Sequence, residues 1–63
     1  MATEKQINYA MALLKRNGYR TDYMDASFKA LGARMKERSG RVRDWLSEMD
    51  KSRISDLISA LAN

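Results

Sequence analysis

The stretch MDASFKALGARMKERSG, Met24 to Gly40, decides how this chain of 63 residues is folded, because it admits two readings. Met24, Phe28, Leu31 and Met35 recur at intervals of four, three and four, the apolar stripe of an amphipathic helix. Gly32 stands inside that stripe, where a helix loses up to about 1 kcal/mol relative to Ala. Either another helix approaches closely there, or the helix breaks. The period runs through the glycine, so the spacing predicts one helix over about 24–38, started by Asp22 or Asp25 and ended at Ser39-Gly40.

Three further apolar quartets flank it, each at i, i+3, i+4 and i+7. Ile7, Ala10, Met11 and Leu14 predict a helix over about 3–17, with Thr3 and Gln6 as its capping box. Asn17-Gly18 ends it, Gly18 taking the left-handed conformation and Tyr19 folding back on the last turn. Val42, Trp45, Leu46 and Met49 predict a helix over about 41–49; Ile54, Leu57, Ile58 and Leu61 predict one over about 51–62. Between those two, Asp50 is an N-cap that makes Met49 and Ile54 a hydrophobic staple. No β-type alternation and no Pro interrupt the pattern. The expected fold is all-α: a single domain over residues 1–63, a compact bundle of three to four short helices.

A chain this short buries only about 60% of its unfolded surface, so its stability is a few kcal/mol. The absence of Cys and His removes disulfides, thiol nucleophiles, imidazole or thiolate metal sites and the usual general base. The acids are spread along the chain and suit helix starts, and the three glycines lie too far apart for a phosphate-binding loop. The expectation is a protein that is not an enzyme, with no catalytic residue, no cofactor and no metal. The N-terminus lacks the basic and apolar regions of a signal peptide, and no run of 18 apolar residues occurs. Cytoplasmic residence and no membrane partner follow as expectations.

Charge is the informative feature. Between Lys29 and Trp45 six basic residues, Lys29, Arg34, Lys36, Arg38, Arg41 and Arg43, face two acids, Glu37 and Asp44. That surplus of four equals the net charge of the chain, and the rest balances at six and six. A solvated face would carry mixed signs; a local surplus of one sign is the footprint of a nucleic-acid surface. Arg41 and Arg43 stand at an expected helix start, where a phosphate would fit. In GYRTDY, Tyr19 and Tyr23 flank Arg20, a pattern that stacks on bases while the guanidinium meets a phosphate, although Tyr19 also has its capping role. A helix-turn-helix across Ser39-Gly40 matches poorly, because Lys36 stands where such a motif keeps a small residue.

The two ends carry a resemblance. TEKQINYAMALL resembles a T-x-K-Q start, and MDKSRISDLISAL resembles an S-x-L-I-x-x-L finish, of small helical modules of bacteriophage and actinobacterial proteins that are sometimes appended to DNA recombination or replication proteins. Thr3, Lys5, Gln6, Ser55, Leu57 and Ile58 are the matching positions, most of them with capping or core roles. The resemblance implies an accessory module of DNA metabolism, phage- or bacterium-encoded. The expected partner is nucleic acid, DNA in particular, bound through the six basic residues with Arg20 and Tyr19, and with little sequence selectivity. The alternative is a protein-interaction module whose basic surface meets an acidic patch on a host protein. Either way the chain is expected as a monomer or weak homodimer in the bacterial host cell.

Overall fold

The computed structural model describes all 63 residues and shows an all-α bundle with no strand. Its first helix, α1, spans Glu4–Arg16. The Thr3 hydroxyl accepts the Gln6 N–H at 3.1 Å and the Gln6 side-chain oxygen accepts the Thr3 N–H at 3.0 Å, which closes the expected capping box. At the other end Tyr19 N–H donates to the Leu14 carbonyl at 2.9 Å and Gly18 N–H to Lys15 at 3.1 Å. That is a Schellman ending, and it holds Gly18 at φ 85°. The α2 helix covers Val42–Ser47 and α3 covers Lys51–Ala62. Asp50 caps α3 by accepting the Arg53 N–H at 2.7 Å, and the staple residues Met49 and Ile54 are both buried.

The helix expected over 24–38 does not form. A 3₁₀ helix runs from Ala26 to Leu31, Gly32 turns left-handed at φ 86°, and a second 3₁₀ turn spans Met35–Glu37. Asp25 starts the first of these by accepting the Ser27 N–H at 2.9 Å. Its end repeats the end of α1: Ala33 N–H donates to the Phe28 carbonyl at 3.2 Å and Gly32 N–H to Lys29 at 3.0 Å. The left-handed residue redirects the chain, so positions beyond it no longer share the phase of Met24 and Phe28. Met35 is accordingly 81% exposed instead of lying in the core. No atom approaches within 4 Å of where a Gly32 side chain would begin, so its backbone conformation, not crowding, requires glycine. Gly32→Ala is expected to lower stability by about 1 to 2 kcal/mol, the cost of left-handed backbone for an L-residue. A thermal melt checks this, and an unchanged midpoint would show that residue 32 relaxes to negative φ without penalty.

One apolar cluster holds the molecule together. It takes Ile7, Ala10, Leu13 and Leu14 from α1, Val42, Trp45 and Leu46 from α2, and Ile54, Leu57 and Leu61 from α3. Leu13 replaces the expected Met11, which is half-buried, because the buried face of α1 is shared between two neighbours, α2 and α3. Phe28, with Met24 and Ala33, attaches the 3₁₀ segment to this cluster. Its ring lies 5.4 Å from Tyr19 and 5.4 Å, edge to face, from Trp45. No helix is long and apolar enough to cross a membrane.

Candidate nucleic-acid interface

The basic centre is displayed mostly on irregular backbone. Lys29 lies in the last turn of the Ala26–Leu31 3₁₀ helix, Lys36 within the Met35–Glu37 turn, and Arg34 and Arg38 on either side of that turn. Arg41 immediately precedes α2 and Arg43 lies in its first turn. Lys29, Arg34, Lys36 and Arg41 are exposed, and no acidic oxygen lies within 4 Å of their charged side-chain nitrogens. Arg38 is half-buried, its guanidinium donating to the Ala33 carbonyl at 3.3 Å.

Arg43 stands apart from these. Its guanidinium reaches across to α1, 3.1 Å from the Glu4 carboxylate and 3.2 Å from the Asn8 side-chain oxygen. The group therefore joins α2 to α1 and meets its counter-charge within the fold. The phosphate cradle expected at the start of this helix is likewise partly taken: Val42 N–H, its first free donor, donates to the Asp22 carbonyl at 2.9 Å. The other half of that contact is Met24 N–H to the Gly40 carbonyl at 2.8 Å, which pairs Tyr23 with Arg41 in a single antiparallel bridge. This bridge closes the loop that carries Lys29, Arg34, Lys36 and Arg38, and left-handed Gly40 leads the chain into it.

Around the bridge, Met11, Thr21, Asp22, Tyr23, Arg41 and Arg43 line an open groove of about 280 Å³. Arg20 grips Asp22 with two nitrogens at 3.0 and 3.1 Å, and Tyr23 N–H donates to the same carboxylate at 2.7 Å. The Arg20 hydrogen bond first, and the backbone one second, hold the Asp22 carboxyl down at about 2. Arg20 in turn is raised above its ordinary value, chiefly by its hydrogen bond to Asp22. Arg20 is thus neutralised locally. Glu37, the acid inside the basic segment, accepts the Arg34 N–H at 2.9 Å and lies 3.6 Å from Arg53 of α3. The backbone bond leads in lowering its pKa.

Of the aromatic pair, Tyr19 is half-buried against Phe28, whereas Tyr23 is 53% exposed and lines the groove. The capping position of Tyr19, one residue after the left-handed glycine, is the sequence signal for this difference, because that position folds inward. Nothing comparable announces that Tyr23 faces Arg41, 18 residues away in sequence. No protein-family model matches this chain, and neither a curated protein nor a solved structure shows significant similarity to it.

Proposed function

We propose that this chain is a small basic accessory protein, phage- or bacterium-encoded and acting in the bacterial cytoplasm, that binds the nucleic-acid backbone, DNA in particular, with low sequence selectivity. The observation that carries this reading is the set of exposed cations Lys29, Arg34, Lys36 and Arg41, whose charged groups form no salt bridge although they occupy one short segment. Cations left unpaired by the fold are the ones available to displace counterions from phosphates. Two to four such contacts give a slope of log affinity against log salt of about −2 to −4 on duplex DNA.

Titration of labelled oligonucleotides of different sequence across a salt series tests the proposal. Arg41→Gln is expected to flatten the slope by about 1 and to weaken every sequence alike. Arg43 is the wrong residue for this purpose, since its removal leaves Glu4 without its partner. Absence of any binding at about 50 mM salt, where such contacts are strongest, would overturn the nucleic-acid reading.

Met35 favours a second reading. It is 81% exposed between Arg34 and Lys36, and an adaptable apolar side chain flanked in sequence by two cations suits an acidic protein surface with an apolar centre.

A further inference from the structure

We propose that the groove at the Tyr23–Arg41 bridge is a subsite for one unpaired nucleotide of single-stranded DNA, its base lying on the Tyr23 ring and its phosphate on the Arg41 guanidinium. The inference rests on the nucleic-acid reading above and adds to it which strand form is preferred, and where.

The geometry begins in the backbone. Residues 22 and 24 exchange hydrogen bonds with 42 and 40, so Tyr23 and Arg41 form the pair between those bonds. In such a pair the two side chains leave the same face and start about 4.5 to 5.5 Å apart. One ring and one guanidinium are therefore presented side by side, from backbone fixed at two points. Tyr23 is 53% exposed and Arg41 has no acidic partner.

Electrostatics select the phosphate position. Asp22 would repel an anion, but its oxygens already serve Arg20 and the Tyr23 N–H, and Arg20 cancels its charge. Glu4 does the same for Arg43. The uncompensated charge on the groove wall is Arg41. Met11 and Tyr23 supply the apolar lining, and about 280 Å³ lies at the lower end of ligand-sized clefts, room for one unit of a strand. A duplex hides its base faces in the stack and offers only edges, so a fixed ring finds a partner face only on an unpaired base.

The experiment is fluorescence anisotropy with labelled oligo-dT of roughly 12 nucleotides, a size spanning small single-strand footprints, against a duplex of the same length and an oligo-U, for wild type, Tyr23→Ala, Tyr23→Phe and Arg41→Gln. Tyr23→Ala is expected to weaken oligo-dT binding by about 5- to 150-fold, the range of one base–aromatic stack, and duplex binding by less than about twofold. Tyr23→Phe should bind like wild type, and Arg41→Gln should weaken both forms. An equal effect of Tyr23→Ala on both forms, or none on either, overturns the subsite while leaving backbone binding intact. Oligo-U held more than about tenfold tighter than oligo-dT overturns the choice of DNA, and a wild type that binds no oligonucleotide overturns both this inference and the function it rests on. Circular dichroism and the buried Trp45 emission verify that each variant is folded; the exposed Tyr23 side chain makes loss of folding an unexpected result.

Discussion

Phe28→Ala is expected to unfold the protein or to leave it at the edge of unfolding at room temperature. A chain of 63 residues has a total stability of roughly 3 to 9 kcal/mol. Truncating a buried Phe to Ala typically costs about 3 to 5 kcal/mol, transfer and cavity together. Phe28 is fully buried and touches two aromatic neighbours, Tyr19 from the end of α1 and Trp45 from α2. It is also the largest apolar anchor of the segment that carries the free cations, so its loss removes the attachment of that segment as well as core volume. Urea titration followed by circular dichroism measures the effect independently of the altered Trp45 environment. A loss of under about 1 kcal/mol would show that the 3₁₀ segment is not part of the cooperative core.

Leu14→Ala has the second largest expected effect, about 2 to 5 kcal/mol. Leu14 is fully buried on the face of α1 shared by α2 and α3, while its carbonyl receives the Tyr19 N–H that closes the helix. Alanine keeps the carbonyl and its bond, so the variant isolates packing from capping. If the single apolar cluster folds as one unit, circular dichroism and Trp45 fluorescence should report the same lowered urea midpoint. Two separate midpoints would mean that α1 and the Trp45 region melt independently.

Local rules carried α1, α2 and α3 from sequence to structure because their signals lie within a few residues of one another: Thr3 with Gln6, Asp50 with Arg53, Met49 with Ile54. The middle segment was misread where two local signals competed. The apolar period of Met24, Phe28, Leu31 and Met35 spoke for a continuous helix, and Gly32 spoke against it. The deciding comparison was present in the chain: LKRNGY at the end of α1 and FKALGA at Phe28–Ala33 both place an apolar residue, Lys and Gly at matching positions, and both end their helices by the same two bonds. The site was less legible than the fold. Charge surplus identified the basic segment, but the Arg43–Glu4 pair spans 39 residues and the Tyr23–Arg41 bridge 18, and no periodicity links partners that only the folded bundle brings together.

The principal neighbour of α1 is α3, the last element of the chain, and Asn17 donates from the end of the one helix to the Leu61 carbonyl near the end of the other. On the ribosome, α1 therefore emerges long before the surface it is shaped to meet. Its apolar face, Ile7, Ala10, Leu13 and Leu14, stays uncovered through synthesis of the whole basic middle, and only the last dozen residues complete the core. Closure of this core accordingly waits for synthesis of α3, and a nascent chain stalled before α3 exposes an apolar stripe to whatever else the cell offers.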